Sequence, residues 1–199
     1  MADEKIVSRI LSVFRQRGGE MYGSEAVTQL EHALQAASLA RQSCASSELI
    51  AAALLHDIGH ILDKGDEVPQ ATDEDPQNLD DAHEERGRRW LRDHFGPQVS
   101  DPVRLHVAAK RYLCTVEPEY LECLSPTSLQ SFHDQGGTMS HEEVQAFESE
   151  ANYEAALSLR RWDDTAKIVG QKTPAIEDFI TELTASVECG FGEQGSNGS

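Results

Sequence analysis

Six side chains of this sequence have the types and the spread that a pair of metal ions requires. His56 and Asp57 are adjacent within the apolar run from Glu48 to Leu62, while His32, His83, His106 and Asp163 stand on other segments of helical period. Neighbouring residues of a helix lie about 100° apart, so an imidazole and the next carboxylate can converge on one ion while the second carboxylate oxygen reaches another. Taken alone, the dipeptide serves equally well as a hydrogen-bonded polar pair in a helical core. Its companions are what point to a buried dinuclear centre. Histidine with carboxylate suits iron, manganese or zinc, and a set without cysteine argues against structural zinc. His60 follows His56 by four residues on the same face and reads as peripheral to the ions, either supporting a metal ligand or facing substrate. His94, His133 and His141 sit in polar stretches and read as surface histidines. Lys110 follows His106 by one helical turn, so its ammonium can meet an anionic group bound at the ion; the alternative is an ordinary surface lysine.

The elements that must position these groups all carry helical punctuation, and no run of alternating β-branched residues stands out. The sequence therefore predicts an all-α fold. Ile6, Ile10, Val13 and Phe14 mark a first amphipathic helix, and Val27, Leu30, Leu34 and Ala37 a second that carries His32. A third helix holds His56, Asp57 and His60 and ends before an acidic insert, Asp63 to Gln77, whose Gly65, Pro69 and Pro76 make it a loop. Asp80 or Asp81 caps a fourth helix that runs past His83 and Trp90 to Gly96, and Asp101-Pro102 opens a fifth bearing His106 and Lys110. Ser125-Pro126 repeats the start signal, with Gly136-Gly137 as its stop, and Ser140 with Glu143 forms a capping box. Asn152 starts the helix of Arg160 and Asp163, which Gly170 ends, and Thr173-Pro174 begins the last helix.

With 199 residues, the chain suits one helical domain over 1–186, with a disordered tail over 187–199. The formal net charge of −18 argues against nucleic acid or anionic membrane surfaces as partners, so an anionic substrate needs a local site. Cys44, Cys114, Cys123 and Cys189 show no paired zinc spacing, and the N-terminus has no apolar signal segment, which makes the cytoplasm the expected location. No apolar run approaches the roughly 20 residues that span a bilayer.

The order His32, His56-Asp57 and a distant Asp163, with His83 and His106 between, is similar to that of dinuclear HD-domain proteins. Most of these hydrolyse phosphate esters; a smaller branch comprises mixed-valent diiron oxygenases. From Tyr22 to about Lys167 the chain resembles the members of that branch that act on hydroxyphosphonates. The resemblance rests on Tyr22-Gly-Ser-Glu25, Val27-Thr-Gln-Leu-Glu-His32-Ala-Leu-Gln35, Leu54-Leu-His-Asp-Ile-Gly-His60, His106-Val-Ala-Ala-Lys-Arg-Tyr-Leu113 and Arg161-Trp-Asp-Asp-Thr-Ala-Lys167. It implies an HD-domain helical bundle around two iron ions, Fe(II)/Fe(III), ligated by His32, His56, Asp57, His83, His106 and Asp163. Asp163 is a better match than Asp164, being four residues before Lys167. It further implies that Tyr22, held by Glu25, occupies an iron position until substrate displaces it. Glu25, His60, Lys110, Ser128 and Arg160 are then the substrate contacts. The implied reaction uses O2 to cleave the carbon–phosphorus bond of a 1-hydroxyphosphonate, giving a carboxylate and phosphate.

The connection between His60 and His83 is longer than expected for the enzyme of the primary amine, 2-amino-1-hydroxyethylphosphonate. Its Asp63, Asp66, Glu67, Asp73, Glu74, Asp75, Asp80 and Asp81 read either as a solvated acidic loop or as partners for the cationic end of a zwitterion. A trimethylammonium group donates no ordinary hydrogen bond and is held by carboxylate charge and aromatic faces. The resemblance thus implies 1-hydroxy-2-(trimethylammonio)ethylphosphonate as substrate, giving glycine betaine and phosphate, ahead of the primary amine giving glycine. A metal-dependent phosphohydrolase is the main rival and a catalytically silent regulatory domain the third class; Tyr22, Glu25 and Lys110 favour the oxygenase.

Overall fold

Local signals decide where most helices begin. In a computed structural model, which describes residues 2–62 and 83–187, capping residues do much of that work, Ser125 and Ser140 as expected and Thr28 in addition. Thr28 and Glu31 form a reciprocal capping box at the start of α2 (Gln29–Gln42), which fixes His32 one turn into the helix. Ser125 accepts from the Ser128 amide ahead of α8 (Pro126–Asp134), and Ser140 pairs with Glu143 at α9 (His141–Glu148). Such caps contribute about 1 kcal/mol each. The remaining elements are α1 (Ala2–Arg17), α3 (Ser47–Leu55), α4 (Ile58–Ile61), α5 (His83–Leu91), α6 (Pro97–Val116), α7 (Pro118–Glu122), α10 (Tyr153–Thr165) and α11 (Ile180–Ser186). A 3-10 turn, Ile176–Phe179, leads directly into α11. Among the described residues the only extended pairings are single bridges, Met21 with Thr28 and Phe95 with Val187. The chain is all-α, as the periodicity requires.

Helix α6 is the axis of the arrangement, with α5 and α10 packed along it and α3 set between α6, α2 and α11. The main core lies among α1, α2, α3 and α11, where Ile10, Ala37, Leu55, Phe179 and Leu183 are fully buried. The six candidate ligands come from α2 (His32), the junction of α3 and α4 (His56, Asp57), α5 (His83), α6 (His106) and α10 (Asp163).

Five boundaries differ from the sequence reading. The third helix is two helices: α3 stops at Leu55, His56 is its C-cap, and Asp57 takes φ −104°, ψ 12° before α4 begins. That backbone lies in the sparsely populated bridge region where many active-site residues sit, and it turns the Asp57 carboxylate independently of His56. The next expected helix ends at Leu91, not Gly96, because Gly96 caps α6 and Pro97 takes its first position; Pro102 is therefore inside α6 and does not open it. Helix α10 ends at Thr165, before the left-handed Gly170, and the last helical segment starts after Ala175, not at Thr173-Pro174. Short α7 carries no signal beyond Pro118. The acidic insert with Asp80 and Asp81, and the tail after Val187, lie outside the described residues. No described helix is long and apolar enough to cross a membrane.

Candidate metal centre

Backbone carbonyls orient the histidines. The Nδ1 atoms of His32, His56 and His106 lie 2.8, 2.9 and 2.7 Å from the carbonyl oxygens of Ala166, Ala53 and Val103. A carbonyl can only accept, so each Nδ1 carries a proton, and in the neutral imidazole Nε2 is the nitrogen left free to ligate a metal. The Nε2 atoms face one another in pairs: His32 and His56 Nε2 are 3.0 Å apart, His83 and His106 Nε2 3.2 Å.

Asp57 stands between the two pairs. Its Oδ2 lies 3.6 Å from His32 Nε2 and 3.3 Å from His56 Nε2, and its Oδ1 lies 3.2 Å from His83 Nε2 and 3.4 Å from His106 Nε2. Asp163 Oδ1 joins the first group, 3.3 Å from His32 and 3.8 Å from His56. Both oxygens of Asp57 are buried and accept no hydrogen bond. A buried carboxylate left that way costs several kcal/mol. A cation in each group removes that penalty. The donor set therefore fits two ions that share Asp57, one with His32, His56 and Asp163, the other with His83 and His106. Burial pushes the Asp57 carboxyl up, but the imidazoles of His56, His106 and His83 outweigh it and hold the group well below the usual carboxylate range. Asp163 behaves alike, with burial overcome by Arg160 and then His32. Burial pushes His106 down to about 4, so it is neutral at physiological pH, as a metal ligand must be.

A cavity of about 510 Å³ borders the His83 and His106 side, and Tyr22, Glu25 and His60 are also in its wall. Lys110, Arg160 and Lys167 line it together with Ser128 and Ser131. Lys110 is 2% exposed and donates to Ser131 Oγ at 2.7 Å; burial, helped by the Arg160 charge, pulls its ammonium down to about 8. Lys167 donates to Ser128 Oγ at 2.7 Å. The buried Arg160 places Nη1 2.7 Å from Asp163 Oδ2. Three cations thus surround one end of a chamber whose other side is the candidate metal pair.

Tyr22 stacks on His32, ring centroids 3.9 Å apart and 13° from parallel, and its hydroxyl lies 3.5 Å from Asp163 Oδ1. Burial and then the Asp163 and Asp57 charges raise its phenol well above the ordinary value. Its loop turns at Gly23, where φ of +55° is a left-handed conformation that favours glycine. The loop is tied to the first turn of α8: Ser24 and Thr127 hydroxyls are 2.7 Å apart, and Ser125 Oγ donates to Glu25 Oε1 at 2.5 Å. The Glu25 carboxylate thus engages Ser125, and its link to Tyr22 is through the backbone, from its amide to the Tyr22 carbonyl at 2.9 Å. His60 is half-buried and stacks on His83 at 3.9 Å, with its ring nitrogen near Asp57 and His83. His94, His133 and His141 are exposed, as their polar surroundings imply.

Sequence reasoning left out Lys167 and Ser131 as cavity residues. Each had a signal: Lys167 closes the Arg161–Lys167 motif, and Ser131 follows Ser128 by one turn on α8. It also left Asp164 without a role, although that carboxylate accepts from Arg160 Nε at 2.9 Å and from Tyr120.

The HD domain family matches residues 30–129, a span that includes His32, His56, Asp57, His83 and His106 and stops before Asp163. Hydroxymethylphosphonate dioxygenase of Gimesia maris is 46% identical over 183 residues, covering 90% of this chain and 89% of that protein. The glycine-betaine-forming 1-hydroxy-2-(trimethylamino)ethylphosphonate dioxygenase of Leisingera caerulea is 42% identical over 183 residues, covering 92% and 91%. Likeness of that extent runs well past the family's boundary at residue 129, and with it the chain belongs to the HD-domain dioxygenases.

Proposed function

We propose that this chain uses a pair of iron ions and O2 to cleave the carbon–phosphorus bond of a small 1-hydroxyphosphonate, oxidising the carbinol carbon to a carboxylate and releasing phosphate. The observation that carries the reading is Asp57, with one oxygen toward His32 and His56 and the other toward His83 and His106. His32, His56 and Asp163 hold one ion, His83 and His106 the other, and Asp57 bridges them. When bound, a mixed-valent Fe(II)/Fe(III) pair supplies the redox chemistry that couples dioxygen to the carbinol carbon.

The protein's own groups do the rest. Lys110, Arg160 and Ser128, joined by Lys167, bind the phosphonate oxygens and fix the carbinol carbon beside the metals. Tyr22, stacked on His32 with its hydroxyl beside Asp163, covers the site and occupies an iron position until substrate arrives. Glu25 and His60 contact the remainder of the substrate. The likeness to named dioxygenases supports this chemistry over phosphoester hydrolysis.

For the trimethylammonium substrate the lining offers the carboxylates of Glu25 and Asp134. A second reading is the compact hydroxymethylphosphonate, which would yield formate and phosphate. It is favoured by the wall itself: among the described lining residues Tyr22 is the only Phe, Tyr or Trp, and it is already stacked on His32, so these residues form no aromatic cage. Oxygen consumption and phosphate release, measured on the iron-loaded enzyme with hydroxymethylphosphonate, the trimethylammonium compound and the primary amine, decide among the three. The lining predicts the first to have the highest kcat/KM. Phosphate release without oxygen consumption would replace the oxygenase by a phosphohydrolase.

A further inference from the structure

Behind the cationic wall lies a second layer of charge that the reaction does not touch. Arg160 is 3% exposed and is gripped along two edges. Nη1 faces Asp163 Oδ2 at 2.7 Å, while Nε donates to Asp164 Oδ2 at 2.9 Å and Nη2 pairs with Asp164 Oδ1. Asp164 Oδ1 also lies 3.7 Å from Lys167 Nζ. Tyr120, from α7, donates its hydroxyl to Asp164 Oδ2. Helix α7 is itself fastened to α10, because the Arg161 guanidinium lies 5.5 Å from the Tyr120 ring centroid and Arg161 Nη2 pairs with Glu117 at 2.6 Å. Asp164 is absent from the cavity wall, yet it holds two of the three cations that form it.

We propose that Asp164, steadied by Tyr120, is a positioning residue that orients Arg160 and Lys167 for the anionic group of the substrate. The inference rests on the reading of the cavity as a hydroxyphosphonate site. A guanidinium has five donors in a rigid fork. With Asp163 as its only partner, Arg160 would be drawn toward the metal centre. The bidentate grip of Asp164 on the opposite edge sets the plane of the fork, and its second contact keeps Lys167 against Ser128.

Charge and geometry make opposite predictions here, which gives the test its edge. Lys110, Arg160 and Lys167 supply three positive charges, and Asp163 and Asp164 two negative ones. Removing the Asp164 charge therefore raises the local potential, and Coulomb attraction alone would tighten the binding of an anion. A positioning role predicts weakening. In calorimetric titration of the iron-loaded protein with inorganic phosphate, Asp164→Asn should raise the phosphate Kd by tenfold or more. Its KM for hydroxyphosphonate should rise by a similar factor while kcat changes less than threefold and iron content stays at the wild-type level. Tyr120→Phe, a milder change that keeps the ring under Arg161, should shift both constants in the same direction by a few-fold, and it carries the test if Asp164→Asn does not fold. Unchanged or tighter phosphate binding in the folded variants overturns the positioning role and leaves the proposed activity standing. A wild-type protein that neither binds phosphate nor turns over any hydroxyphosphonate overturns both.

Discussion

Asp57 does what no neighbouring carboxylate can, because its two oxygens address different histidine pairs. An amide in its place offers one good acceptor, so Asp57→Asn should leave about one iron per chain and abolish turnover; metal analysis of the purified variant checks it, and two irons with normal activity would refute the bridge. Tyr22→Phe should keep both irons and remove any phenolate-to-iron absorption of the resting enzyme. Lys110 acts on the substrate's charge. A charged hydrogen bond contributes about 1.5–3 kcal/mol, so Lys110→Ala should lower kcat/KM about tenfold to a hundredfold with iron retained. The pH profile gives the sign independently. The ammonium is the anion-binding form and prevails below about 8, so kcat/KM should fall as pH rises through that value, and the Lys110→Ala profile should lack that limb.

At the scale of elements, the close approach of α4 to α5 is the part with least freedom. A Cβ on Gly59 would lie 2.0 Å from the His83 carbonyl oxygen and 3.0 Å from the Gly87 amide nitrogen. Both obstacles are backbone, so neither can turn aside. Gly59→Ala should destabilise the protein by about 1–3 kcal/mol or more, lower Tm by at least about 2–4 °C, and displace His83 enough to weaken iron binding. Calorimetric scans of the loaded and metal-free forms measure both effects. Elements of this kind show which features a sequence discloses. The starts of α8 and α9 were legible because caps are local chemistry between residues three apart. The break at Asp57 was not, since the run from Leu49 to Leu62 is apolar apart from His56, Asp57 and His60 and holds no proline to stop the helix. What stops it is the site, which needs the Asp57 carboxylate turned between two histidine pairs. The six candidate ligands could be named from residue type and order alone. The pairings of Lys167 with Ser128 and of Tyr120 with Asp164 could not, because contacts 39 and 44 residues apart leave no periodic trace.

For the molecule as a whole, the cationic wall is an exception within a chain of net charge −18. The buried Lys110 and Arg160, with the half-buried Lys167, attract a doubly charged phosphonate only once it is inside; on the way in, the substrate meets the field of the entire acidic surface. The range of that field is set by solution conditions, about 30 Å at 0.01 M ionic strength and about 10 Å at 0.1 M. The buried cations are screened much less. Ionic strength should therefore act as an accelerator: between about 10 and 100 mM inert salt, kcat/KM should climb while kcat stays level, the reverse of what an enzyme with an openly basic surface shows toward an anion. A neutral solute of the same size, tested as a competitive inhibitor over the same range, should be indifferent to the salt.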